Sequence, residues 1–392
     1  MIRNILVVLF WVGGLCAKEP SALYLTWASD PTTSMTIYWH TEAKHSGPSK
    51  VWYREEQGFW TCQEAVATPI YKSDVIAHRL ELTGLHPGST YLFRIGDEPE
   101  TYRFTTLQPS GPLYFAIGGD AFFSLSLLRE MNMQVLSKDV DFVVLGGDIA
   151  YSNGVSSFLQ QRDTYELKRW LAFFKEWKKM RTDDGRLIPL VVTPGNHDVR
   201  SDAKTPEEKG RRLFEFFSFP KGASYSVLDI GPISLFLLDT GHVYPIEGAQ
   251  TTWLEKALSA RQDVPYKLAV YHISAYPAYY SYSGKVPTKI RDLWVPLFES
   301  YGIRAAFEHH NHVFKRTFPL RAGNIDPQGV IYLGDGAFGV PTRSPRSAWY
   351  LAASKKSRCF WTLRLDTSGC LLEAYDSWGK RLDALTLPSS SG

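Results

Sequence analysis

From Ser21 to about Leu107, apolar and polar positions alternate in short runs: LYLTWAS, SMTIYWHT, KVWYRE, AHRLELTGL, STYLFRIGD and TYRFTTL. Each is roughly four to eight residues long, rich in Thr, Tyr, Trp and Val, and bounded by Gly, Pro, Asp or Ser, which predicts short antiparallel strands and a β-sandwich over residues 21–107. QPSGP, residues 108–112, then reads as a linker. From Leu113 the rhythm changes. PLYFAIGGD and DFVVLGGD are continuous apolar runs, separated by SLSLLREMNMQVLS, whose spacing is helical. Fully apolar strands separated by a helix indicate βαβ units in a sheet covered on both faces. SSFLQQRDTYELKRWLAFFKEWKKM continues as a long amphipathic helix, with Phe158, Trp170, Phe174 and Trp177 as core contacts. TTWLEKALSA and RDLWVPLFESYG are predicted as further helices. CFWTLRLDTSGCLLEAYDSWG closes the second domain, residues 112–384, as a β-hairpin before a loose PSSSG tail.

The 392 residues give room for two domains, and 44% hydrophobic with 21% charged residues excludes wholesale disorder. A net charge of +3, scattered along the chain, offers no nucleic-acid-binding surface, so no nucleic acid partner is expected. The aromatic share of 14% is accounted for by core and interdomain packing. The N-terminus, MIRNILVVLFWVGGLCAKEP, places Arg3 before an apolar segment of about a dozen residues that breaks at Gly13 and Gly14, a secretory signal pattern too short to span a bilayer. Residues 1–17 are therefore expected as a signal peptide cleaved after Ala17, although Leu15 is larger than usual two positions earlier; a lipoprotein reading with Cys16 lipidated fits less well. No other apolar run is long enough to cross a membrane, so the chain reads as secreted or periplasmic. Cys62, Cys359 and Cys370 remain. An odd count, with Cys359 and Cys370 on opposite arms of the predicted hairpin and out of register, gives neither a disulfide framework nor a zinc cluster.

Five apolar segments of the second domain end in polar residues. FAIGGD ends at Asp120, and FVVLGGDIAY carries Asp148 and Tyr151. IPLVVTPGNHD carries Asn196, His197 and Asp198; YKLAVYHIS delivers His272, and IRAAFEHHNH delivers His310 and His312. In open α/β sheets the carboxyl ends of neighbouring strands converge on one crevice. Carboxylates, an amide, a phenol and imidazoles suit iron, manganese or zinc. The donors are too many for one ion. Two ions about 3.5–4 Å apart, bridged by a shared carboxylate, would use them all, the arrangement of two-metal phosphoester hydrolysis. His40, His45, His78, His86 and His242 are read as ordinary surface or satisfied histidines.

The order GGD, GGDIAY, GNHD, VYH, HHNH resembles the calcineurin-like metallophosphoesterases. Tyr151, three residues after Asp148, and the preceding sandwich resemble their purple acid phosphatase branch; LTWASDPTTSMTIYWHT is similar to its N-terminal domain and EGAQTTWLEKAL to its segment before the fourth block. The implied fold is a fibronectin-III-like β-sandwich followed by an α/β domain of two mixed sheets flanked by helices. The resemblance implies Fe3+ held by Asp120, Asp148, Tyr151 and His312, and a divalent ion (Zn2+, Mn2+ or Fe2+) held by Asp148, Asn196, His272 and His310, with Asp148 bridging. With the signal pattern, it leads to the expectation of an exported phosphatase acting on phosphomonoesters, in which metal-activated water attacks phosphorus and His197 holds the phosphoryl group or protonates the leaving oxygen. A phosphodiesterase using the same ions, and a non-catalytic binding protein with a retained site, are the alternatives. Four positions depart from the family pattern. Asp120-Ala121-Phe122 replaces Asp-x-Gly and sets a bulky ring where backbone passes closely. His309 replaces a glycine and is expected outside the ligand set. Asp198 stands where relatives often carry Glu. The loop ISAYPAYYSYSGKV offers Tyr276, Tyr279, Tyr280 and Tyr282 in place of substrate-contacting histidines.

Overall fold

In the strand Ser34–Glu42, Met35, Ile37 and Trp39 point to one face and Tyr38 to the other, yet all four are buried. The first three join the core between two four-stranded sheets. One sheet orders Ala22–Thr26, Ser34–Glu42, Val75–Thr83 and Val66–Pro69; the other orders Thr61–Glu64, Lys50–Glu55, Thr90–Ile95 and Tyr102–Thr105. Tyr38 instead faces the second domain, where its hydroxyl lies 2.6 Å from Ser218 Oγ. Its neighbour Tyr24 stacks on Phe174 at 4.1 Å and donates to the Phe216 carbonyl at 2.7 Å. The sandwich is thus seated on the helix Asp163–Trp177 through a sheet face that would otherwise be wet. This computed structural model describes residues 20–45, 49–153, 163–334 and 336–389; the expectations for the signal segment, Phe158 and the His45 side chain lie outside it.

The second domain has two mixed sheets packed face to face. In the six-stranded sheet, Leu190–Thr193, Phe142–Gly146 and Leu113–Gly118 run parallel, and Cys359–Asp366, Gly369–Asp376 and Arg381–Leu387 extend it antiparallel. The seven-stranded sheet orders Ser226–Ile230, Ile233–Leu237, Tyr266–Ile273, Ile303–His309, Ile331–Gly334, Phe314–Thr317 and Leu351–Lys355. Alternation along each strand explains its uniform apolarity. Phe115, Ile117, Phe142 and Val144 meet Leu268, Val270, Ala305 and Phe307 between the sheets. Ala116, Val143, Leu145 and Leu190 turn outward to Leu128, Met131, Trp170 and Phe174 of the covering helices, while Ala269, Tyr271 and Ala306 turn to Leu254, Trp294 and Phe298.

Several expectations change. The chain closes as a three-stranded meander, because Arg381–Leu387 pairs with Gly369–Asp376. The segment RDLWVPLFESYG belongs to two helices, Lys285–Leu293 and Val295–Tyr301. Pro296 lacks the N–H that a continuous helix would need and sits in the first turn of the second. Cys370 pairs in register with Leu365, whereas Cys359 faces Asp376, so the two buried thiols lie far apart along the hairpin. His40 is neither exposed nor satisfied: it is fully buried and both ring nitrogens lack a hydrogen-bond partner. His78 bonds Thr41 and Ser49, and His86 is exposed and pairs with Glu55. Among the described residues no helix is long and apolar enough to cross a membrane.

Candidate metal centre

The strands Leu113–Gly118, Phe142–Gly146 and Leu190–Thr193 of one sheet, and Tyr266–Ile273 and Ile303–His309 of the other, end at one edge of the layered pair. The backbone turns sharply there. Eight described non-glycine residues have a positive φ, and five of them are Asp120, Asp148, Tyr151, His310 and His312. The left-handed region costs an L-residue about 1 kcal/mol or more, and such strain persists only where surroundings enforce it. Here it bends the chain so that Asp148 and Tyr151, which a straight strand would send to opposite faces, both reach the centre. Gly147, at φ +89°, supports the same turn: a Cβ there would lie 2.6 Å from His272 Nδ1.

All seven predicted ligands meet, in two groups. Tyr151 Oη lies 2.9 Å from Asp120 Oδ1 and 3.1 Å from His312 Nε2, and His312 Nε2 lies 2.9 Å from Asp120 Oδ1. In the second group His272 Nε2 lies 3.0 Å from Asn196 Oδ1 and 3.3 Å from Asp148 Oδ2. His310 joins it, with ligand atoms of Asp148, His272 and His310 within 4.8 Å of one another. The His310 backbone N–H donates to Asp120 Oδ2 at 2.9 Å and links the groups.

The donor set fits cations. Asp148 Oδ2 is buried without a hydrogen-bond partner, a costly state for a carboxylate unless an ion completes it. Burial works to raise the Asp148 carboxyl, but the imidazoles of His272, His197 and His310 outweigh it and hold the group well below the usual carboxylate range. Burial likewise opposes a charged His272, yet Asp148 and Asp120 push it up to about 9. Burial, then the charges of Asp120 and Asp148, drives the Tyr151 phenol well above its ordinary value, so a phenolate exists there only against a cation. His310 is pushed well below its ordinary value by burial and by His272.

His197 stacks on Tyr151 at 4.5 Å. Asn153 Nδ2 donates to the Asn196 carbonyl at 2.8 Å, which turns its Oδ1 to His197 Nδ1 at 2.7 Å and assigns the proton to Nδ1. Nε2 is left without a partner among the described residues. Asp198 ties two ligand loops together: its carboxylate accepts from the backbone of Ile149 and Ala150 at 2.9 and 3.1 Å. Asn153 carries no sequence signal of its own, since its role depends on Asn196 and His197 in another loop.

Other departures take on definite places. The Phe122 ring does not enter the centre; it packs among the helices, under the guanidinium of Arg169 at 4.0 Å. Arg169 also donates to the carbonyls of Phe122 and Ala150, pinning both carboxylate loops to the long helix. His242 is satisfied by Thr240 Oγ1 at 3.0 Å, but its ring lies 5.5 Å from that of His272 and forms part of the wall. Of the loop tyrosines, Tyr276 is core, packed on Tyr332 at 4.5 Å. Tyr280 stacks on His310 at 4.8 Å and accepts a 2.6 Å hydrogen bond from Arg343, which also lies over Tyr279.

Comparison with known proteins agrees with this geometry. Residues 20–106 match the purple acid phosphatase N-terminal domain, and residues 114–314 match the calcineurin-like phosphoesterase domain. Purple acid phosphatase 15 of Arabidopsis thaliana is 27% identical over 298 residues, 68% of this chain but 54% of the relative, so the match spans about half of that protein. Purple acid phosphatase 23 of the same plant is 26% identical over 359 residues, covering 78% of this chain and 76% of the relative. Among solved structures, a purple acid phosphatase isolated from yellow lupin (Lupinus luteus) seeds superposes with a TM-score of 0.77 at 17% identity, over 93% of this chain and 74% of that one. The chain belongs to the calcineurin-like phosphoesterases, in their purple acid phosphatase branch.

Proposed function

We propose that this chain is an exported phosphatase that hydrolyses phosphomonoesters at a centre of two metal ions. The observation that carries the reading is the pair of converging donor groups, with Asp148 Oδ2 buried among imidazoles and without a hydrogen bond. Asp120, Tyr151 and His312 form the oxygen-rich side suited to Fe3+; Asn196, His272 and His310 form the neutral side suited to a divalent ion, and Asp148 serves both. Bound there, two cations supply charge neutralisation for the phosphoryl group and lower the pKa of water towards neutrality.

The residues of the chain do the rest. Asp198 and Arg169 hold the carboxylate loops in their strained turns. Asn153 orients His197 so that Nε2, without a partner among the described residues, can hold a phosphoryl oxygen or, when protonated, give its proton to the leaving oxygen. In this reading residues 21–107 are the sandwich, residues 112–384 carry the chemistry, and residues 1–17 direct export.

The test combines metal analysis, a visible spectrum and hydrolysis of p-nitrophenyl phosphate against its bis ester. About two ions per chain, a phenolate-to-iron band lost in Tyr151→Phe, and preference for the monoester are expected. A band that survives Tyr151→Phe removes the iron assignment. Preference for the bis ester assigns the centre to diesters, and a metal-free, inert protein ends the enzyme reading.

A further inference from the structure

The strand Ile233–Leu237 runs parallel to Tyr266–Ile273, so the loop that follows it emerges beside His272 at the edge that holds the metal centre. That loop is fixed through its backbone. Asp239 is fully buried, and its carboxylate accepts from the N–H groups of His242, Val243 and Tyr244 at 2.7, 2.9 and 2.8 Å and from Ser224 Oγ at 2.6 Å. Gly241, at φ +92°, makes the turn. None of these bonds uses the His242 side chain.

The His242 ring is nevertheless held in one tautomer. The Ile273 N–H donates to Thr240 Oγ1 at 3.2 Å, and Thr240 is buried. Among the described residues the hydroxyl hydrogen has one acceptor, His242 Nε2 at 3.0 Å. In the neutral ring Nε2 therefore accepts, and the proton sits on Nδ1. Nδ1 has no hydrogen-bond partner among the described residues, and it is not sealed in as the ring nitrogens of His309 are.

The half-buried ring stands 5.5 Å from that of His272, at 66° to it. The charges of Asp148 and His197 also act on it, and it acts in turn on His310. An N–H donor without a partner thus stands beside the divalent half of the centre. The loop after His272 brings no imidazole there, since Tyr276 is core and Tyr280 lies against His310.

We propose that His242 is a further catalytic residue, whose Nδ1–H donates to an oxygen of the phosphoryl group held at the centre. The proposal rests on the phosphatase reading above and gives a part in it to a residue outside the seven ligands and His197. A donor fixed before substrate arrives needs no reorganisation as charge shifts on the phosphoryl oxygens.

The probe is inorganic phosphate, titrated by calorimetry into the metal-loaded full chain, beside kinetics on p-nitrophenyl phosphate. His242→Ala is expected to weaken phosphate binding about tenfold, the scale of one hydrogen bond to a charged group. It should lower kcat/KM at least as much while bound metal stays at the wild-type level. His242→Phe, which keeps a ring without the donor, should behave alike, and His242→Asn, whose amide can donate from the place of Nδ1, should recover most of both losses. Unchanged phosphate binding in the alanine and phenylalanine variants overturns the proposal. So does loss of metal in them, which would make His242 a support of the ligands, and so does failure of asparagine to recover binding. A wild type that binds phosphate more tightly than His242→Ala but hydrolyses no ester leaves the donor in place and sinks the phosphatase reading alone.

Discussion

His309 is buried with both ring nitrogens bare, and the reason lies in two glycines, Gly146 at the end of a strand and Gly119 just past the end of another. A Cβ on Gly146 would overlap its Nε2 and Cδ2, and one on Gly119 would come within 2.6 Å of its Cγ. The imidazole therefore fills a notch that only glycine leaves open, and it does so as a spacer behind the ligands. Gly146→Ala is expected to lower stability by about 1–3 kcal/mol, the usual cost of overpacking, read as a lower denaturation midpoint. Adding His309→Ala should recover most of that loss; strictly additive effects in the double variant remove the spacer role. His197 gives a chemical test. His197→Ala should lower kcat by about 100-fold on alkyl phosphates, whose leaving oxygen needs a proton, and far less on p-nitrophenyl phosphate, whose leaving group does not. Equal losses on both would leave His197 only a binding role. The ligands were readable because each follows an apolar run and precedes a turn. The places of His309, Asn153 and Arg169 were not, since each depends on a gap or a carbonyl supplied by a distant segment.

Elements were readable to the same degree that burial wrote them into the chain. Fully buried strands such as Phe142–Gly146 and Ile303–His309 show as apolar runs. The exposed edge strands Thr61–Glu64 and Val66–Pro69 bury almost nothing, so TCQE and VATP carry no alternation to detect. What joins the site-bearing strands is also unreadable locally. Glu308, fully buried, accepts from Tyr271 Oη at 2.7 Å and the Ala275 backbone at 2.6 Å, and pairs with the buried ammonium of Lys315. One carboxylate thereby ties the ends of Tyr266–Ile273 and Ile303–His309 to the start of Phe314–Thr317, the three elements that present His272, His310 and His312. Glu308→Gln would leave the Lys315 charge buried and uncompensated, at a cost of about 3–5 kcal/mol. Chemical denaturation of the metal-free protein should show that loss, and the pair Glu308→Leu with Lys315→Met should show less. A neutral Glu308→Gln would mean that water reaches Lys315.

On the scale of the whole molecule, the seam between sandwich and phosphoesterase domain holds a group sensitive to acid. His40 lies with its ring against Phe174 and Phe216, and burial, helped by nearby His78, pulls its pKa down to about 3. Above about pH 6.5 the ring is neutral in folded and unfolded chains alike and contributes nothing to pH dependence. Below that value the unfolded chain takes up a proton that the folded chain refuses, so unfolding gains about 1.4 kcal/mol for each further unit of pH, down to about pH 3. His78, lowered to about 4 by burial, acts in the same direction. The seam should therefore weaken as the medium becomes acid, which sets a floor under the working pH whatever the metal centre itself prefers. His40→Leu removes the proton site while keeping an apolar filler. Between pH 7 and pH 5 its denaturant midpoint should fall less than that of the wild type, by an amount equivalent to about 2 kcal/mol. Parallel declines in the two proteins would place the acid sensitivity elsewhere and free the seam from any part in it.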